Sequence, residues 1–275
     1  MISAEPISME ASPAIRALQA VAAYDCLRLG TYCARESAHA RIRIEQAFDA
    51  SLLRFDDVGY FNRVYAHNET VAGHLDQVET FYLDSPFGCE LVAASGDQGP
   101  VADACSRRGW LRSRNYAWLH MKTNTAGLGN EYPGVSIRQP RLQERTAFLE
   151  FYLRGFEAPV ANFPAAIRNM RHLFDLPQLH FMIASREGID VAIGMLCIFG
   201  ETALLAAGTT LPEERRNGCH HAVLAERIRL AHSLGCTDIV SHAYVGGQSH
   251  LNMVSMGLQT VKVTQSWRFQ GAACS

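Results

Sequence analysis

The residues best suited to chemistry lie in the run GTTLPEERRNGCHH, positions 208–221, between an apolar stretch and a long amphipathic one. A strand that feeds a glycine-containing turn at a helix N-terminus leaves several backbone N–H groups unpaired and aimed at one point, beside the positive end of the helix dipole. Such a turn suits an anion, a diphosphate in particular. Arg215 and Arg216 add local positive charge, and Gly218 lets a ligand approach the backbone closely. Glu213 and Glu214 read as solvated carboxylates or helix-dipole partners. An ordinary solvated turn carrying two surface arginines accounts for the same residues about equally well. No G-x-x-x-x-G-K-[ST] occurs and no G-x-G-x-x-G follows a first strand, so the nucleoside triphosphate and dinucleotide signatures are absent.

Proton transfer needs a base and an acid. His242, at the end of a strand-like run, and Tyr244 just after it are the best-placed candidates, although His242 reads equally as a packed, hydrogen-bonded side chain. Cys219 would stand at a helix N-terminus, where a thiolate is stabilised, but no His-Cys-Asp spacing supports an acyl-cysteine route.

The elements that must position these groups fit easily in a chain of 275 residues that is 48% hydrophobic and 19% charged, a globular composition. Twenty-five Lys+Arg against 27 Asp+Glu give a formal charge of -2, so no global basic field gathers nucleic acid or anionic membrane. Any anion site must be local. The opening MISAEPISME lacks a basic stretch followed by an apolar run, and no uninterrupted apolar stretch reaches the membrane-spanning length of about 18 residues, which implies a cytoplasmic protein. The eight cysteines form no C-x-x-C pair, so neither a metal site nor a disulfide framework is expected.

Ser12-Pro13 opens a helix expected to stop at Gly30. Strand-like runs are expected over 52–67, 89–94, 111–121, 135–137, 179–185, 191–199, 202–210 and 238–242, with a closing strand through Trp267. Helical spacing marks 71–82, the region of Val101 and Ala104, 141–152, 164–174, 219–234 and 249–256. Three glycines and a proline between Thr123 and Gly134 read as a linker, placing a boundary at 130/131. The halves share a plan: Gly88-Cys89, a strand, a helix and Gly109-Trp110 echo Gly235-Cys236, a strand, a helix and Gly257-Leu258.

The run PEERRNGC, residues 212–219, resembles the pyrophosphate loop of the GNAT superfamily of acyl-CoA-dependent N-acyltransferases, Arg/Gln-x-x-Gly-x-Gly/Ala after a strand; Arg215 and Gly218 match, and His220 stands where a small residue is usual. The order of elements from about 135 onward, with SHLNM at 249–253 and Met256-Gly257-Leu258, is similar to that family as well, and Phe61-Asn62-Arg63-Val64 looks like the degenerate first repeat of two-domain members. The resemblance implies an α/β protein with tandem GNAT-like domains, each a mostly antiparallel sheet flanked by helices: a degenerate domain over 1–130 and an acyltransferase domain over 131–275. It implies acetyl-CoA or another acyl-CoA as cofactor, held by Thr209, Thr210, Leu211, Arg215, Arg216, Asn217, Gly218, Cys219, His220 and Asn252. The backbone N–H of Thr210 or Leu211 would polarise the thioester carbonyl.

The implied reaction is direct acyl transfer to a small-molecule primary amine, with His242 and Tyr244 as base and acid and no metal. The family's usual tyrosine acid falls on Met253, so that role is vacant or moved. An aminoacyl-tRNA or carrier-protein donor and a non-catalytic CoA-binding protein stand as alternatives. No membrane partner is implied, nucleic acid other than tRNA is not expected, and the oligomeric state, a homodimer included, stays open.

Overall fold

Helix α1 begins as its residues dictate, with Pro13 in the first turn and the Ile15 N–H donating to the Ser12 hydroxyl at 3.4 Å. The computed structural model, which describes residues 7, 9–35, 41–95, 98–123 and 132–271, carries α1 over Pro13–Arg35, straight through Gly30. The expected stop fails because Leu27 and Leu29 just before that glycine are buried and Tyr32 just after it packs against Phe55 at 5.4 Å, contacts that outweigh its helical cost of about 1 kcal/mol.

The expected boundary at 130/131 lies outside the described residues. Chain contacts divide the molecule into one unit of Met1–Leu119, His242–His250 and Thr260–Ser275 and a second of His120–Ser241 and Leu251–Gln259. In the first unit the strands run in the order β1 (Ile42–Ala47), β2 (Ala50–Phe55), β3 (Arg63–Ala66), β4 (Cys89–Ala93), β11 (Gln259–Phe269) and β5 (Leu111–Lys122). Only β3 and β4 are parallel among the registered neighbours β1 to β4 and β11. The last strand in sequence is therefore an internal strand of the first unit, with Trp267 opposite Leu91.

One face of the first unit's sheet carries α2 (Leu75–Tyr82) and α3 (Pro100–Arg107) over a core that includes Leu52, Val64, Leu91, Val78 and Val101. Asn62, from the segment singled out in sequence, is a buried hub: its carboxamide oxygen accepts from the Phe55 N–H at 2.7 Å, and its nitrogen donates to the Ser85 hydroxyl at 2.7 Å and the Gly88 carbonyl at 3.0 Å. Strand β1 was not anticipated, because IRIEQA offers only two apolar residues in alternation.

The second unit is built on the first four residues of β10 (Asp238–Tyr244), β9 (Thr202–Thr210), β8 (Ile189–Phe199), β7 (Leu179–Arg186) and β6 (Val135–Arg138), antiparallel except for β9 and β10. The expected meander is the β7–β8–β9 part. Helices α4 (Arg145–Gly155) and α6 (Cys219–Ser233) cover opposite faces: a Cβ on Gly155 would meet Thr209, whereas a Cβ on the adjacent Gly208 would meet Arg227 of α6. Helix α5 (Phe163–Met170) and the part of α7 (Gln248–Ser255) from Leu251 onward also fall in this unit.

The echo between the halves has a physical basis. Gly88, Gly109, Gly235 and Gly257 all have positive φ, between 61° and 96°. The last three close α3, α6 and α7 with the same six-residue bond, Trp110 N–H to the Cys105 carbonyl, Cys236 to Ala231 and Leu258 to Met253, each at 3.0 or 3.1 Å. Side chains differ at these junctions, but the backbone solution recurs. Gly235→Ala therefore meets nothing within 4 Å and loses only the left-handed penalty of about 1–2 kcal/mol, while a Cβ on Gly88 would stand 2.0 Å from the Phe269 carbonyl oxygen. Urea unfolding is expected to show the larger loss for Gly88→Ala; equal losses would refute this account of the junctions.

Candidate functional site

Strand β9 leads into the turn, a single 3-10 turn at Pro212–Glu214 follows, and α6 starts at Cys219. Arg216 has φ 71° and Gly218 φ 77°, so two residues of the four before the helix take the left-handed conformation. Alternating handedness turns successive N–H groups toward a common point. No side chain caps α6, whose first backbone bond is Ala222 N–H to the Gly218 carbonyl at 3.0 Å. The nearest heavy atom to a Cβ built on Gly218 is Tyr132 Cδ1 at 3.7 Å, so this approach is open.

Arg216 and Asn217 are exposed, Cys219 is buried and His220 is half-buried. Arg216 has no ion-pair partner among the described residues. Arg215 turns back to Glu157 at 2.7 Å and to the Gly155 carbonyl at 3.3 Å, and Asn217 reaches Glu214 at 3.3 Å. The Cys219 thiol donates to the Asn217 carbonyl at 3.6 Å, and burial, with a smaller contribution from Glu214, raises its pKa. The expected helix-terminal thiolate is therefore not favoured: desolvation of the charged form outweighs the opposing Arg186.

Beside this turn the sheet opens. Strands β9 and β10 are in register only at Thr202–Asp238, Ala203–Ile239 and Leu204–Val240. Immediately beyond, the Ser241 hydroxyl donates to the Leu205 carbonyl at 2.9 Å, taking the place of a ladder N–H. A bulge in β9 coincides with the opening, since Gly194 faces Gly208 and Leu196 faces Leu205, leaving two β9 residues opposite Met195.

Arg227 closes the bulge from α6, with Nη1 donating to the Met195 carbonyl at 3.2 Å and the Ala207 carbonyl at 3.3 Å. A Cβ on either Gly194 or Gly208 would crowd this guanidinium to 3.0 Å or less. Burial lowers the Arg227 pKa to about 10. In the sequence Arg227 looks like one surface arginine among several, and only the two glycines opposite it reveal its role.

Leu211 was expected as an oxyanion donor, but its N–H is already committed to the Val191 carbonyl at 3.1 Å. Bonded and non-bonded pairs alternate in an antiparallel ladder, so the preceding Thr210, opposite Ala192, turns its N–H away from β8. Gly208 does the same. The Thr210 hydroxyl, on the α6 face of β9 two residues from Gly208, is buried without a hydrogen-bond partner. An orphaned buried hydroxyl, an uncapped helix and an open glycine together fit a polar anionic ligand such as a diphosphate.

Asn252, expected to touch the cofactor, is buried and donates to His220 Nδ1 at 3.1 Å, while His221 Nε2 meets the Ser255 hydroxyl at 3.0 Å. These contacts tie α7 to the start of α6. Burial, then Arg227 and His221, push the His220 pKa down to about 3. Tyr132, also unremarked in sequence, donates to the Met256 thioether at 3.4 Å, and Met253 is buried.

His242 and Tyr244 belong to the first unit, apart from the loop residues. The half-buried His242 ring stacks on Trp118 at 5.6 Å and 23° and tilts against Tyr116, also at 5.6 Å. Burial, with help from Arg63, lowers its pKa to about 4 against the opposing Asp25 and Glu90, so it is neutral at pH 7. Tyr244 is 43% exposed, with the Arg114 guanidinium 4.5 Å from its ring centroid.

The first unit's corresponding region offers no such cradle. Strands β3 and β4 stay in register over all four residues of β3, and the Asn68 side chain accepts from the Thr70 N–H at 2.8 Å at the start of the turn leading to α2. Asp49 beside it accepts from both Asn68 and Thr70.

No known protein-family pattern and no curated protein matches this sequence. Solved structures do resemble it. A GCN5-related N-acetyltransferase from Kribbella flavida is 15% identical with a TM-score of 0.62, over 90% of this chain and 98% of that one. A GCN5-related N-acetyltransferase from Sphaerobacter thermophilus is 14% identical with a TM-score of 0.59, over 82% and 83%. A tandem GNAT protein from the clavulanic acid biosynthesis pathway is 11% identical with a TM-score of 0.57, over 80% and 76%. The chain has a tandem GNAT fold.

His220 and His242 are neutral in the folded chain and ordinary in the unfolded one, so on acidification the unfolded chain binds protons first. Stability is expected to fall as the pH drops below about 6.5, by up to about 1.4 kcal/mol per pH unit for each histidine, until about pH 4 for His242 and about pH 3 for His220. Urea midpoints measured from pH 7 to 4 check this, with His220→Asn and His242→Asn each reducing the slope; an unchanged slope in both variants would contradict it.

Proposed function

We propose that this chain is an N-acyltransferase that moves an acyl group, acetyl in the simplest case, from coenzyme A to a primary amine by direct attack. The observation that carries the reading is the uncapped start of α6 with the partnerless Thr210 hydroxyl, beside strands whose pairing ends at Leu204 and Val240. On this reading the amides from Arg216 to His221 hold the diphosphate, Arg215 and Arg216 supply countercharge, and Asn217 lines the approach. Arg215 is free to turn because its partner Glu157 is exposed, and such surface pairs contribute little.

Gly208 and Thr210 direct amides into the opening, where they can orient the pantetheine arm and the thioester oxygen. Thr209 and Leu211 fix the strand from its other side, through Gly155 and Val191. Asn252 acts by holding His220 at the start of α6. Acyl-CoA, when bound, supplies an activated thioester; the chain supplies position, amide donors and proton transfer. The neutral His242 takes the proton of the attacking amine, directly or through water, and the Tyr244 hydroxyl donates one toward the departing sulfur.

Met253, buried where related enzymes place an acid, gives a second reading some support: a CoA-binding protein without turnover. Thermal unfolding separates these from a chain that binds no CoA. Acetyl-CoA at about a hundred times its Kd should add about 2.7 kcal/mol and raise the midpoint by several degrees. The rise should shrink in Arg216→Ala and Arg215→Ala and vanish in Gly218→Glu, which places a carboxylate in the cradle. No rise at saturating acetyl-CoA or CoA would sink the proposal; a rise without thiol release across an amine panel would leave only the second reading.

With an active amine, His242→Ala should lower kcat by about 10²–10⁴-fold while KM for acetyl-CoA holds, and the wild-type acid limb due to this histidine should lie near pH 4. A variant with unchanged kcat would remove His242 from the mechanism.

A further inference from the structure

We infer that the first unit holds a binding site for a small organic anion, a carboxylate or phosphate monoester, in the pocket where Arg63, Arg114 and Arg268 converge around Glu90. The pocket has a volume of about 270 Å³ and is lined entirely by first-unit residues. That volume is just under the range of about 300–1,000 Å³ that encloses larger ligands, and so suits a metabolite-sized one.

Strand register assembles the charge. Glu90 on β4 stands directly opposite Arg63 on β3 and Arg268 on β11, and directly opposed residues project from the same face. Glu90 is satisfied: it accepts from the Ser266 hydroxyl at 2.6 Å and from Tyr116 at 3.3 Å, and pairs with Arg63 at 3.4 Å. Arg63 is buried and donates to the Tyr60 carbonyl at 3.0 Å and to the Tyr116 hydroxyl at 3.2 Å, so Glu90 neutralises it in place.

Two further guanidinium groups are then left over. Arg114 lies over the Tyr244 ring, and neither it nor Arg268 has an ion-pair partner among the described residues. Three arginines and one glutamate give this lining a surplus of two positive charges, in a chain whose formal charge is -2. Two unneutralised arginines around one concavity repel each other, and an oxyanion between them turns that repulsion into paired, forked hydrogen bonds. Tyr60 and Phe87, both about half exposed, give the pocket apolar walls for the remainder of the ligand. On the transferase reading, on which the acceptor assignment alone rests, the ligand is the acceptor amine, because Tyr244 lines the same pocket.

The test uses the full chain without any acyl donor, so its outcome does not depend on CoA binding. Phosphoethanolamine, β-alanine and ethanolamine are titrated while the arginine Nε–H resonances are followed by NMR. Saturable shifts at Arg114 and Arg268 are expected with phosphoethanolamine, β-alanine or both, at a Kd at least tenfold below that of ethanolamine. A response to one alone identifies the phosphate or the carboxylate branch. Both arginines are exposed, so Arg114→Gln/Arg268→Gln should keep the wild-type circular dichroism and its CoA-dependent thermal shift yet lose at least tenfold in affinity for the anionic probe. No saturable shift with either anionic amine, equal affinity for ethanolamine, or unchanged affinity in the folded double variant would overturn the site. Anion binding in a chain that shows no CoA shift would uphold the pocket and remove only the acceptor assignment.

Discussion

The second unit depends on keeping a guanidinium inside a sheet that has come apart. At the bulge in β9 Arg227 supplies donors to the carbonyls of Met195 and Ala207 from the facing helix. Burying a cation without a carboxylate is costly, and carbonyl dipoles compensate only when geometry is close. Hence Gly194 and Gly208 face each other beneath it, where any side chain would collide. Past the bulge β9 is again in register with β8, and the N–H groups of Gly208 and Thr210 turn away from it.

Polar satisfaction at the strand-to-helix junction differs between the two units. In the first, Asn68 and Asp49 pair the groups at the turn before α2, and β3 remains zipped to β4. In the second, the start of α6 is uncapped and the Thr210 hydroxyl has no partner. A shared plan therefore yields one closed and one open strand-to-helix junction. The first unit places its polar groups elsewhere, in the row of Arg63, Glu90 and Arg268 and in the aromatic stack of Tyr116, Trp118 and His242.

Much of this was legible in the chain because it is local. Proline and serine at the start of α1, apolar alternation in the β7–β9 meander and glycines after α3, α6 and α7 act within a few residues, and the element order followed from them. The turn over residues 212–218 was legible for the same reason: glycine, arginine and helix onset are contiguous. Gly30 misled because a glycine's local cost is smaller than the burial of the leucines just before it. Asn252 and His220 were both noticed, but the bond between them spans 32 positions and left no trace in the pattern.

The sequence by itself settled most of the strands and helices, β1 and the end of α1 excepted, the glycines at which three helices end, and that one turn carries a glycine and two arginines at a helix start. Tertiary structure alone decided that the final strand returns to the first unit between β4 and β5, that Leu211 is committed to β8 while Thr210 is not, and that Arg63, Glu90 and Arg268 stand side by side. The reason is physical: local conformational preference acts over a few residues and is written in their order. Strand register, a bulge and the matching of a buried charge to carbonyls are fixed by burial of the whole sheet, to which residues far apart in the chain contribute together.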